Sequence, residues 1–387
     1  MRSLCATRRL LCSRDWRFWL RLVVVPVLSG SLIAGVHGLA PVAEASGLPS
    51  LMPDVGQFVA VPMYNALTTT AVASGQSISV PVTGAGGVPS GADAVVVKIN
   101  TAQASTSGFF SAWDTDSGDS GTAAVAIVAG VSSDQTAVIP VSPAGTVSFT
   151  NHSAASASMQ LRVTGYYTGA GTTAAGDTYF GVPWALIPGG QLAAGQSMTL
   201  QVGGQGGIAP GADVAVLQIN AYNATQPGLL TVYTAGTADP GLAALEYSTT
   251  VEARNMFYVK PSASGQVTIT NHGSGAATVN AYARGYFMPA NVSPAGGEYT
   301  SIDPDVVYGS ATAGTQLAAN QSVTFQVADN GTSTDQGIIP SDVTQVAEDV
   351  IVTSPAADGT LQVGTPGGDD HARSDQLQVQ RQHGRWL

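Results

Sequence analysis

Apolar and polar residues alternate along this chain in short runs. In "TVSFT" (146–150), Val147 and Phe149 fall on one side of an extended segment, and Thr146, Ser148 and Thr150 on the other. The same period of two recurs near Ser77–Val82, Ala94–Asn100, Phe109–Trp113, Ala123–Val128, Ala137–Val141 and Met159–Tyr167, with Gly- and Ser-rich turns between the runs. No amphipathic helix is predicted beyond the first 45 residues. Seven short strands in one stretch of this length predict an all-β fold built of antiparallel β-sandwiches, Ig-like or jelly-roll-like.

The pattern is repeated. "SGQSISVPVTGAGGVPSGADAVVVKIN" (74–100) aligns with "AGQSMTLQVGGQGGIAPGADVAVLQIN" (194–220), an offset of 120 residues that holds without a gap. Gly108 pairs with Gly228, Asn151-His152 with Asn271-His272, and Gly165-Tyr166 with Gly285-Tyr286. A third copy begins at "AANQSVTFQVADNGTSTDQGIIP" (318–340) and loses the pattern after Val363. The expected organisation is therefore residues 46–172 and 173–293 as two β-sandwich repeats, and 294–387 as a truncated third. Its tail, "HARSDQLQVQRQHGRWL" (371–387), is abruptly basic and Gln-rich and reads as an out-of-frame, poorly ordered end. The alternative is that "QLQVQ" is a genuine edge strand.

"GADVAVLQINAYNATQPGLLTVYTAG" (211–236) and the Gly165-Tyr166-Tyr167 strand end resemble a tandem β-sandwich repeat of secreted actinobacterial proteins. That repeat has a "VLNVTATNPTAAGYLTVYP" style segment and a terminal "GYY". The resemblance spans about residues 56–363. It implies export and a module that stands alone or beside exported hydrolases, and it brings no catalytic residues with it. Phe109-Phe110 and the loop "AWDTDSGDSG" depart from the family's usual hairpin.

Charge agrees with export. Six of the fourteen basic residues lie in the first 21 positions, ahead of the apolar "LVVVPVLSGSLIAGV" (22–36) and a small-x-small site at Ala43-Glu44-Ala45. That order predicts a secretory signal over 1–45, with an uncleaved anchor as the alternative. From Ser46 to Gly368 five basic residues face twenty acidic ones, 5 − 20 = −15. Such a body repels phosphate backbones and anionic lipid, which argues against nucleic-acid partners. The apolar run at 22–36 is short and broken by Ser29, Gly30 and Ser31, which argues against a stable membrane span. Both cysteines, Cys5 and Cys12, fall within the signal, so no disulfide, thiolate or cysteine-bound metal is expected in the mature chain.

Candidate chemistry is sparse. The repeated Thr-Asn-His reads as a turn, because Asn tolerates a left-handed backbone and its side chain bonds to local backbone, and because one histidine per repeat makes neither a triad nor a zinc site. Asp114, Asp116 and Asp119 in "WDTDSGDSG" form a weak calcium candidate, lacking the spacing of an EF-hand. Asp93 and Asp213 recur in Gly-Ala-Asp before an apolar strand and read as backbone caps. The aromatics Trp113, Trp184, Tyr222, Tyr233, Tyr166, Tyr167, Tyr286 and Phe287 are candidates for a sugar-stacking platform, with Trp113, Tyr233 and Tyr167 foremost. No cofactor is implied and no catalytic residue is assigned. The expected function is a secreted, non-catalytic surface scaffold or adhesion module, partnered by cell-wall polysaccharide or another surface protein. The alternatives are a carbohydrate-binding accessory module and, further off, an exported hydrolase.

Overall fold

The computed structural model describes residues 56–302, apart from 103, 170–171, 173–175, 243–244, 251 and 293–295. Beyond 302 it describes 308, 317–327, 339, 343, 346, 359–363 and 375–379. The expected signal over 1–45 lies outside the described residues, as does most of the third copy.

The first repeat folds into eight strands: β1 (Phe58–Val72), β2 (Ser77–Pro81), β3 (Ala92–Thr101), β4 (Gly108–Asp114), β5 (Ala123–Ile127), β6 (Ser133–Pro140), β7 (Thr146–Asn151) and β8 (Ala157–Thr168). They form two facing antiparallel sheets, β1-β8-β3-β6 and β2-β7-β4-β5. Two four-stranded sheets linked in this order make a jelly roll rather than an Ig sandwich. The second repeat does the same with β9 (Asp177–Leu192), β10 (Ser197–Gln201), β11 (Val214–Tyr222), β12 (Gly228–Thr234), β13 (Leu245–Tyr247), β14 (Ala253–Val259), β15 (Gln266–Asn271) and β16 (Ala277–Pro289).

All seven alternating runs became strands, β2 to β8. The first strand of each unit has no such signature. The pairing of β1 with β8 slips between Ala60 and Tyr64, Asn65 and Leu67, and Leu67 and Thr70; β9 slips twice against β16. Each extra residue reverses which face the next side chain takes, so the period of two is lost. Pro62, Pro183 and Pro188 mark the same irregular stretches.

Each sandwich encloses its own core. Val95, Val97 and Ile99 of β3 meet Val147 and Phe149 of β7 in the first; Leu217, Ile219, Val267 and Ile269 take those places in the second. The intervening residues Ala94 and Val96, and Val214 and Val216, are buried too. Their cover is the other repeat. The two larger sheets join as one, in the order β14-β11-β16-β9-β1-β8-β3-β6, through a single pairing of Phe58 with Asp177. Between them lies a third core of Phe58, Ala94, Val96, Tyr167, Val214, Val216 and Phe287. Phe58 sits 4.6 Å from Phe287, 5.3 Å from Tyr167 and 5.4 Å from Tyr258, ring centre to ring centre.

The far edges of this joint sheet also meet, through polar groups. Lys98 Nζ donates to the Met256 carbonyl (3.1 Å) and stands over the Phe257 ring, and Thr136 donates to the same carbonyl (2.7 Å). Asn100 bridges Asp134 and Glu246, whose own amide donates to Asp134. Residues 297–299 belong to the assembly as well: Gly56 pairs with Tyr299 and Tyr179 with Gly297, while Tyr299 stacks on Tyr167. In the tail, β17 (Gly359–Val363) pairs antiparallel with β18 (Asp375–Val379), which is the edge-strand alternative for "QLQVQ".

Candidate functional site

The repeated Thr-Asn-His closes β7 and β15. Asn151 and Asn271 are buried, and neither adopts a left-handed backbone; among the described non-glycine residues only Asn223 and Asn320 do. The left-handed backbone is not found, whereas the local side-chain bond of a turn is: the Ser153 and Gly273 amides donate to the Asn two residues before them. Asn151 Nδ2 donates to the carbonyls of Val72 and Ala155, while its oxygen accepts from the Ser153 amide and hydroxyl. Asn271 does the same with Leu192, Ala193 and Gly275, and accepts from Gly273 N and the Tyr247 hydroxyl. The amide staples the end of one strand to the loop after another.

The histidines reach across to the loop after β4 or β12. His152 Nε2 lies 2.9 Å from Asp119 Oδ2 and 3.0 Å from Ser111 Oγ. His272 Nε2 lies 3.0 Å from Asp239 Oδ2 and 3.1 Å from Thr231 Oγ1. The set of hydroxyl, imidazole and carboxylate resembles a hydrolase triad. A triad, however, uses one ring nitrogen for the hydroxyl and the other for the acid. Here one nitrogen meets both, in both copies, so the ring cannot relay a proton between them. Burial raises the Asp119 and Asp239 carboxyls, but hydrogen bonds and the adjacent imidazole outweigh it and hold both below the usual range.

Asp114 and Asp116 do not join Asp119 around a cation. Asp114 Oδ1 accepts from the amides of Asp116 and Ser117, and Asp119 Oδ1 from Gly121. The two carboxylates close the hairpin, and among the described residues no three His, Cys, Asp or Glu side chains converge as metal ligands. Asp93 accepts from Ser301 (2.6 Å), while Asp213 holds Lys260 at 2.6 Å. Asp213 also faces Asp177, whose carboxyl is pushed up to about 7 by burial first and by Asp213 second. The three foremost aromatics do not share a surface. Trp113 on β4 and Tyr167 on β8 are buried, and Tyr233 on β12 bonds to Thr270.

Two aromatics from the wider set, Trp184 and Tyr222, instead meet on the outer face of the second unit's larger sheet. They line a cleft of about 250 Å³ with Gln218, Asn220, Glu252, Arg254, Asn280 and Tyr282. Its floor comes from strand register. Arg254, Asn220 and Asn280 are neighbours across β14, β11 and β16, and Gln218 stands opposite Tyr282 one row away. Residues two apart on β11 share a face, so Gln218, Asn220 and Tyr222 all point into it. Trp184 stacks on Tyr282, 4.6 Å apart and 7° from parallel. Arg254 grips Glu252 with two nitrogens (3.2 and 3.0 Å), Asn220 donates to Glu252 (2.6 Å), and Asn280 donates to the Tyr222 hydroxyl (2.9 Å). Burial, then Glu252 and Tyr222, raise the Tyr282 hydroxyl above its ordinary value. Sequence reasoning missed this set because Gln, Asn and Glu on a strand read as ordinary solvent-facing positions. The available signal was divergence between the repeats. The matching positions in the first unit are Lys98, Asn100, Ala102, Ser132, Asp134, Gln160 and Arg162.

Fold and surface together define an all-β protein of two fused jelly rolls, with a polar, aromatic-walled cleft on the second. No protein-family model matches the chain, and no curated protein matches it. Among solved structures, the chain in "Crystal Structure of the STIV MCP" is 9% identical, covering 61% of this chain and 99% of that one at a TM-score of 0.17. At that overlap the likeness carries no argument.

Proposed function

We propose that this is an exported, non-catalytic binding scaffold of the cell surface or wall, with the two jelly rolls serving as one rigid presenting body. The observation that carries the reading is the repeated His–Asp pair. Among the described residues, the grouping that resembles a hydrolase triad is wired through a single ring nitrogen in both units, as a loop clamp would be. Export rests on the Arg-rich, apolar and small-x-small order of the first 45 residues, and on the resemblance to secreted repeat proteins. The reading is tested with the purified processed chain against ester, peptide and glycoside substrates. No turnover is expected. Turnover that disappears in His152→Ala plus His272→Ala would overturn it. Cell fractionation checks location: the chain is expected in the medium or wall fraction, and retention in the cytoplasm would refute export.

A further inference from the structure

We infer that the cleft of the second unit is a binding site for a neutral saccharide, one or two pyranose rings seated against Trp184 and Tyr282. The inference rests on the scaffold reading and names what that scaffold holds. Four features support it. Trp184 and Tyr282 stack face to face on each other at 4.6 Å, so what the pair offers is the outer face of one ring, of the kind that covers the C–H face of a sugar, beside a mainly polar floor. Gln218, Asn280 and Tyr222 set amide and hydroxyl groups along the floor, over Asn220, which is buried and held by Gln218 and Glu252. Gln218 and the bonded Asn280–Tyr222 pair keep donor and acceptor capacity for a ligand. Sugar hydroxyls also donate and accept at once, so such groups suit them better than fixed charges do.

Charge narrows the ligand further. The two charges in the cleft are spent on each other, because Arg254 forks onto Glu252, which also accepts from Asn220. An anionic sugar finds no open cation, in a body that is already strongly acidic. Size narrows it again. About 250 Å³ lies just below the roughly 300–1,000 Å³ typical of drug-sized ligands, which suits one or two rings and not a folded partner.

The first unit provides an internal comparison. Its copy of the face carries Lys98 and Arg162 where the cleft has Gln218 and Tyr282, and both are buried. Glu246 of the second unit reaches over to Asn100 there. At one end this face joins the units in both repeats, through Ala94 and Val96 and through Val214 and Val216; at the other end it is closed by Lys98 and Arg162 in the first and open, with aromatic walls, in the second. The cleft is not a by-product of the repeat.

The test uses the full processed chain and isothermal titration against neutral oligosaccharides of glucose, mannose, galactose and N-acetylglucosamine, with matched uronic-acid oligosaccharides alongside. At least one neutral series is expected to bind, and Trp184→Ala to weaken it about tenfold or more. Tyr233→Phe, on the other sheet, should leave affinity unchanged. Trp184→Phe and Gln218→Ala serve if the alanine variant misfolds; the first should keep part of the affinity and the second lower it. Absence of neutral-sugar binding, preference for uronic acids, or affinity indifferent to Trp184 and Gln218 in folded variants would overturn the proposal. The two readings fail differently: no binding sinks the saccharide site alone, whereas released reducing ends would sink the non-catalytic scaffold.

Discussion

Asn151 and Asn271 show how much one side chain can decide. Each is buried with its amide and oxygen both engaged, so truncation strands two or more backbone groups away from water. Asn271→Ala is expected to cost about 2–3 kcal/mol, which lowers the melting temperature by roughly 4–12 °C in a body of this size. Asn271→Asp keeps the shape and loses the donors, so it should do comparable harm in the same melt. If both variants melt like wild type, the staple is not structural. The residue pattern was legible in the sequence as a recurrence. Its cause was not, because a turn asparagine and a buried asparagine read alike until the loops that accept its hydrogens are in place.

Elements are governed by close approaches that the motif only hints at. The Gly-Tyr-aromatic ending of β8 and β16 needs glycine because the first strand's aromatic lies flat across it: a Cβ at Gly165 would collide with the Phe58 ring, and one at Gly285 with the Tyr179 ring. Gly165→Ala should therefore destabilise by about 1–3 kcal/mol through overpacking. Phe58→Leu in the same chain should recover part of that loss, read as a coupling in a double-mutant cycle. Strict additivity would refute the contact. The same ring explains an irregular spacing between the copies. Phe58 and Tyr179 play one role 121 residues apart, although the rest of the repeat keeps 120. The difference is absorbed in the bulges of β1 and β9, where the alternation was lost.

The two jelly rolls should unfold as one body, since the third core belongs to both. Phe58→Ala is expected to remove about 3–5 kcal/mol and to split a single calorimetric transition into two; two transitions in the wild type would contradict a shared core. The joint is also a source of pH dependence. Asp177, at the pairing that links the sheets, has its carboxyl raised to about 7 by burial and then by Asp213. A carboxyl whose folded value exceeds its unfolded one stabilises fully below the unfolded value and loses that contribution as pH rises through the folded value. Melting temperature should thus fall between about pH 4 and pH 7, and Asp177→Asn should flatten the fall. Lys98 acts outside this window: burial pushes it down to about 7, so its contribution rises with pH only above that value.

Alternation, turn residues and the 120-residue repeat determined the strands from β2 to β8 and their copies, because a half-buried strand must present apolar groups every second residue. They also determined the all-β class. Which side of β3 and β11 was buried lay beyond them: Ala94, Val96, Val214 and Val216 are inside only because a second sheet covers them. The cleft is of the same kind. Trp184, Asn220 and Tyr282 lie on three strands far apart in the chain, with Glu252 just ahead of a fourth, and it is sheet register that sets them side by side. A local pattern reports what each residue wants from its neighbours in sequence. Only the packing of one unit against the other left one end of the first unit's face closed by Lys98 and Arg162, and the matching end of its twin open.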